Sequence, residues 1–318
     1  MVILVTGGLG FIGSHTAQAL TDLGHSCIVT SHRSTNELDD TISSERVDVA
    51  ERKAMLGLGE RQVIDGIVHL ADPALAHLGD PSTGPATLLT DMRAGANALF
   101  NTLECAIAWN VRRVTVASTI GVYGGVPDLR GVSEELPLQM SAGGNVVAAS
   151  KKGAELVVSL FRERGIDAIS VRLPAVWGPR GRKESRFFAA PGLIHAAVSD
   201  ESPATAYADD AIDMLYVKDC ARAIALLQTA AELSYATYNV GSGRATSNAE
   251  VVAAIERAVP GADLALKSGK SPGGMPVYLD TTRLHADTDF ELEYDLDRAV
   301  ADYVNWIRSD SRDGRVRR

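Results

Sequence analysis

The chain has 318 residues, 46% hydrophobic and 22% charged, which is enough for one large globular domain or two sharing a core. With 40 acidic against 31 basic residues the net charge is −9, which argues against nucleic acid or an anionic membrane as an electrostatic partner. Cys27, Cys105 and Cys220 show no CxxC or Cys/His spacing and lie among apolar neighbours, so the expectation is buried thiols in a reducing, cytoplasmic compartment and no metal site.

Residues 2–5 form a short β-rich apolar run, too short for a signal peptide or a membrane span. Thr6-Gly7-Gly8-Leu9-Gly10-Phe11-Ile12-Gly13 follows at once, and then a helical pattern to Asp22. Strand, glycine loop and helix in this order suit a pyrophosphate. The glycines allow a tight turn and close backbone approach, and the helix N-terminus presents free N–H groups. Residues 24–30 predict a second strand, ending at Ser31, His32 and Arg33. An acidic side chain there would grip the ribose hydroxyls of NAD. Its absence, with a guanidinium nearby, favours the 2′-phosphate of NADP.

Further along, Arg46-Val47-Asp48-Val49 predicts a third strand segment, and residues 66–71 a buried strand entering the ligand cleft. Asp72 follows and reads as a loop cap, or as a polar group facing the cleft. Residues 87–109 carry Leu88, Leu89, Met92, Ala96, Leu99, Phe100, Leu103 and Ile107 at helical spacing, an amphipathic helix. The next strand, 111–117, leads into Ser118-Thr119-Ile120-Gly121-Val122-Tyr123-Gly124. A hydroxyl at the carboxyl end of such a strand faces the ligand crevice. Residues 145–164 predict another helix, with Ser150-Lys151 and Glu155 in it. The tail, 309–318, is polar and expected to fray.

These motifs together resemble the extended short-chain dehydrogenase/reductases, in the NAD-dependent epimerase/dehydratase family, over nearly the whole chain. TGGLGFIG, HLAD at 69–72, STIGVYG, RLPAVWGP at 172–179, DMLYVKD at 213–219 and YNVG at 238–241 carry the resemblance. It implies a doubly wound parallel α/β sheet of Rossmann type, with a dinucleotide-binding domain at 1–173 to which 213–241 returns. A smaller substrate domain would take 174–212 and 242–318. It implies an NAD(P) cofactor held by Gly7, Gly10, Phe11, Ile12, Gly13, Ser31, His32, Arg33, Asp48, Val49, Leu70, Ala71, Lys151, Pro174 and Val176. Thr119 and Lys151 are the implied catalytic residues, and two helices, around 88–107 and 146–160, would pack against a second copy as a homodimer.

In one position the chain departs from that pattern decisively. The family places a Tyr four residues before the Lys, where this chain has Val147. Valine has no ionisable proton, so the usual acid/base step has no donor on this helix. Tyr123, Tyr216, Asp72, Lys151 itself or a group of the substrate remain as alternatives. The family Asn and Arg that help hold a sugar-nucleotide diphosphate are Ala175 and Ile212 here, although Arg180, Arg182, Lys183, Arg186 or Arg283 could compensate. The expectation is an oxidoreductase or isomerase of epimerase/dehydratase type with an altered site, acting on a small metabolite. Two alternatives stay open: a non-catalytic NAD(P)-binding regulator or partner subunit, and a sugar-nucleotide epimerase or dehydratase using another acid/base.

Overall fold

The computed structural model describes residues 1–31, 42–73, 83–126, 128–141, 145–185, 187–199, 201–272 and 277–312. His32, Arg33 and Arg186, named above, lie outside them. Seven parallel strands build the main sheet: β1 (Val2–Thr6), β2 (Ser26–Ser31), β3 (Ile42–Arg46), β4 (Gly66–His69), β5 (Arg113–Thr119), β7 (Ala168–Leu173) and β11 (Thr237–Asn239). Their spatial order is β11-β7-β5-β4-β1-β2-β3. Three two-stranded pairings complete the strands: β6 (Arg130–Val132) with β13 (Tyr278–Leu279), β8 (Ala175–Trp177) with β10 (Met214–Tyr216), and β9 (Ala211–Ile212) with β12 (Thr246–Ser247).

Alternation along the strands decides the two faces of the sheet. Ile3, Val5, Cys27, Val29, Val68, Ile169 and Val171 point to one side. There they meet α1 (Phe11–Asp22) and α6 (Val217–Thr229) through Ala17, Leu20, Cys220, Ile224 and Leu227. Leu4, Ile28, Ile67, Val114, Val116 and Ala168 point to the other. That side is covered by α2 (Arg52–Arg61), α3 (Pro85–Ala108) and α4 (Val146–Glu163). A sheet covered on both faces reads as nearly continuous apolar strands, which is how 2–5, 66–71 and 111–117 read.

A separate apolar cluster lies beyond β7. Ala175, Trp177, Met214 and Tyr216 pack there against α5 (Ala190–Ser199), α7 (Asn248–Ala258) and α9 (Leu296–Arg312). Met214 and Tyr216 therefore belong to this second cluster, whereas Cys220–Leu227 of α6, Tyr238 and Val240 belong to the main one. Leu284, from α8 (Thr282–Asp287), and Phe290 also join the main cluster. The three cysteines are buried free thiols. Burial pushes Cys27 up to about 11 and Cys105 up to about 12. Among the described residues no helix is long and apolar enough to cross a membrane.

The sheet also fixes where a ligand can enter. The chain leaves β1 towards β2 and β3, then returns to β4 on the other side of β1. The connections after β1 and β4 thus diverge, and a crevice opens between them at the carboxyl ends.

Candidate active site

At the end of β1 the chain turns through Gly7, at φ 67, into α1, whose N-cap is Gly10. A Cβ at Gly13 would lie 2.3 Å from the Gly7 carbonyl oxygen, and one at Gly7 would lie 3.0 Å from Ala71 N. The loop can therefore close on itself and on β4 only with glycine at these positions. The first-turn N–H groups of α1 have no intrahelical partner by construction, and no cap side chain stands in front of them.

The Thr6 side chain ties the two crevice loops together. Its Oγ1 accepts from Leu70 N at 3.2 Å and from Ala71 N at 3.3 Å, and lies 2.9 Å from His69 Nδ1. His69 is buried, and the same Nδ1 is 3.1 Å from Thr102 Oγ1. Burial, helped by the Lys151 charge and opposed by that of Asp72, brings His69 down to about 4, so it is neutral at pH 7.

Held in this way, the chain leaving β4 delivers Asp72 to Lys151. Lys151 Nζ is 2.7 Å from Asp72 Oδ2, and both side chains are about nine-tenths buried. Asp72, read from sequence as a loop cap or as a polar group facing the cleft, is thus an ion-pair partner of Lys151. On the other side of the pair, α4 begins at Asn145, whose side chain accepts from Ala148 N at 3.1 Å. Val147 and Lys151, four residues apart, share a face of this helix. Val147 is half-buried.

Thr119 ends β5, and its Oγ1 accepts from Gly121 N at 3.1 Å. That bond uses an oxygen lone pair and caps the short 3-10 turn Ile120–Tyr123. Pro174 and Val176 are half-buried at the exit of β7. Asp48 lies beyond the end of β3 and is exposed, and its Oδ1 accepts from Ala50 N at 2.9 Å. Val49 is buried, and its carbonyl accepts from Asn101 Nδ2 at 2.9 Å. Ser31 stands at the end of β2, in register with exposed Arg46 of β3. Arg46 was read from sequence only as part of a strand segment.

Two tyrosines considered as substitute proton donors are committed elsewhere. The Tyr123 hydroxyl donates to Asn239 Oδ1 at 2.8 Å and accepts from Arg172 Nη1 at 2.7 Å. Burial is the main reason its pKa is raised. The Tyr216 hydroxyl donates to Asp302, inside the second apolar cluster, and burial followed by that carboxylate pushes its pKa far up.

Sequence reasoning missed the network around Tyr123. Arg172 forks onto Glu155, with Nε to Oε1 at 3.0 Å and Nη2 to Oε2 at 2.7 Å. Ser118 donates to the same carboxylate. This buried group joins α4 to β5, β7 and β11, and so sets the height of Lys151 one turn away. Glu155 served only to fix the helix register. The signal was Arg172 itself, a charge inside a strand whose six residues are all buried. Across the crevice, Arg180 has φ 67 and its Nη2 lies 3.5 Å from Leu9 O, while His15 Nε2 is 3.0 Å from Pro179 O. Residues 178–181 therefore lie against the glycine loop.

A parallel doubly wound sheet with a glycine loop and a lysine at its switch point defines a Rossmann-type α/β protein. The chain belongs to the NAD dependent epimerase/dehydratase family, whose model matches residues 3–241, and is an extended short-chain dehydrogenase/reductase. It is 30% identical over 282 residues to dTDP-glucose 4,6-dehydratase 1 of Escherichia coli, covering 80% of this chain and 76% of the relative. The structure of a Thermus thermophilus UDP-glucose 4-epimerase in complex with NAD is 25% identical, with a TM-score of 0.78, over 97% of this chain and 99% of that one. A UDP-glucose 4-epimerase from Thermotoga maritima, with UDP-glucose, shares the fold at a TM-score of 0.81 and 22% identity, over 98% of this chain and 100% of that one.

Two measurements check this account of the site. Glu155→Ala strands the Arg172 guanidinium, and loss of one partner of a buried pair costs ~3–5 kcal/mol. Urea denaturation should show that loss, and a change below ~1 kcal/mol would place Glu155 outside the network. His69 has a folded pKa below its ordinary value of 6.5, so its contribution is present above pH 6.5 and is lost as pH falls towards 4. Over that window a His69→Gln variant should lose stability less steeply than wild type, by up to ~1.4 kcal/mol per pH unit. Parallel curves would contradict the neutral, buried state.

Proposed function

We propose that the chain is an NAD(P)-dependent enzyme of epimerase/dehydratase type, with an altered active site, acting on a small metabolite. The observation that carries this reading is Lys151, buried at the switch point on the helix where the family keeps its lysine, with Val147 in the tyrosine's place.

The residues present fit a nicotinamide dinucleotide. Gly7 and the backbone of Gly10, Phe11, Ile12 and Gly13 offer N–H groups and clearance for the pyrophosphate. Asp48 and Val49 would border the adenine, and Leu70 and Ala71 the cofactor's path along β4. Ser31, His32 and Arg33 would meet the adenosine ribose. Exposed Arg46, in register with Ser31, adds a second guanidinium for a 2′-phosphate. Lys151 would donate to the nicotinamide ribose, with Pro174 and Val176 against the ring. When bound, the dinucleotide supplies a hydride acceptor or donor. The chain supplies position, exclusion of water and the Thr119 hydroxyl as a substrate contact.

A sugar-nucleotide substrate is the second reading, supported by the name of the Escherichia coli relative. Ala175 is buried and apolar and Ile212 pairs with Thr246, so neither offers a polar group to a diphosphate. Arg180 stands at the glycine loop, where it would serve the cofactor before a substrate. A non-catalytic cofactor binder is the reading that Val147 alone would favour.

The chain would act as a homodimer. Leu89, Phe100 and Ile107 of α3 and Leu156 and Leu160 of α4 are all at least half exposed. Adjacent helices with that apolar surface suit packing against the same two helices of a second copy.

Calorimetry with NADP and NAD tests the cofactor assignment. Tighter NADP binding is expected, equal or tighter NAD binding removes the role given to Arg33 and Arg46, and binding of neither overturns the reading. Light scattering at micromolar concentration should give twice the chain mass, and a clean 33.7 kDa particle would refute the dimer.

A further inference from the structure

The loss of the tyrosine and the acidic residue at position 72 meet at one atom, the Lys151 ammonium. In a site with tyrosine four residues before the lysine, the ammonium faces a phenol and stabilises its anion. Here the facing side chain on α4 is a valine, and the carboxylate one turn on, Glu155, is already held by Arg172, so the nine-tenths buried cation takes its ion pair from outside its own helix. Such a cation is costly unless it is paired. The pairing comes from across the crevice: Asp72 Oδ2, at 2.7 Å, from a side chain as buried as the lysine's.

We propose that Asp72 has replaced the tyrosinate as the anionic partner that fixes and neutralises Lys151. The charged unit of this site is then an Asp–Lys pair spanning β4 and α4, in place of a Tyr–Lys couple on one helix. Asp72 is a positioning residue in this scheme, since it acts through the lysine. The proposal rests on the reading of Lys151 as the site lysine.

Three further observations support the exchange. Thr6 holds Leu70 and Ala71 by their N–H groups, so the carboxylate is delivered by a pinned segment. His69, which feels the charges of both partners, is neutral and adds no competing charge. Tyr123 and Tyr216 are bound to Asn239 and Arg172 and to Asp302, and neither is a partner for Lys151. Asp72 and Val147 are therefore coupled substitutions. Restoring the tyrosine alone would place a phenol beside an ammonium already neutralised by a carboxylate.

The test reads the charge felt at position 147 without cofactor or substrate. Protein is labelled with tyrosine carrying 13C at the ring carbon that bears the hydroxyl, and the resonance added by Val147→Tyr is followed against pH. Three proteins are compared: Val147→Tyr alone, Val147→Tyr with Asp72→Ala, and Val147→Tyr with Asp72→Asn. With the carboxylate gone, the ammonium acts on the introduced phenol, as an opposite charge 4–6 Å away does on an acid, shifting it down by ~1 pH unit or more. Both double variants should therefore titrate at least about one unit below the single variant. Coincident midpoints in the single and double variants would overturn the proposal, because Lys151 would then not be neutralised by Asp72. The Asn variant keeps the side-chain volume, so the comparison stands if the Ala variant does not fold. Dinucleotide calorimetry on the unmodified protein reports separately on the cofactor reading. A shift without cofactor binding would sink that reading and keep the pair, and binding without a shift would do the reverse.

Discussion

An ammonium group with about a tenth of its side-chain surface exposed requires an anion within a few ångströms, and that requirement organises the crevice of this protein. Lys151 sits where the first and fourth strands part. The anion it needs comes from the loop leaving β4, which Thr6 pins to the end of β1. The glycine turn must be tight enough to leave that loop room, and the 3.0 Å clearance between a Cβ at Gly7 and Ala71 N shows how little remains. Ion pair, glycine turn and strand ends thus depend on one another.

The second constraint is the height of α4 above the sheet. One turn beyond Lys151, Glu155 is clamped by Arg172 from β7 and by Ser118 from β5. Arg172 also holds Tyr123, which reaches Asn239 at the sheet edge. A buried network of this kind is stable only when every member is satisfied. It therefore acts as a rigid support beneath Lys151.

Much of this was legible in the sequence because it is local. The glycine spacing, the apolar strands and the helical spacing of α3 and α4 are short-range patterns, and they place Gly7–Gly13, Thr119 and Lys151 on the right elements. The partners of charged residues were not legible. No spacing rule connects residue 72 to residue 151, or residue 155 to residue 172, because the sheet and not the helix period brings them together. Asp72 therefore read as a loop cap or a polar group facing the cleft, with no partner named, and Tyr123 as one of several candidate proton donors, without its bonds to Asn239 and Arg172. Arg180 was one of five basic residues open as diphosphate contacts, and its approach to Leu9 of the glycine loop had no signal in the sequence.

The account turns on whether Lys151, paired with Asp72, is the residue that meets the nicotinamide ribose. A crystal structure with NADP bound measures this directly. The account predicts Lys151 Nζ within ~3.2 Å of a nicotinamide ribose hydroxyl, Asp72 still at the ammonium, and Val147 facing the ring. A bound dinucleotide whose ribose is held by other side chains, with Lys151 and Asp72 paired away from it, would contradict the account.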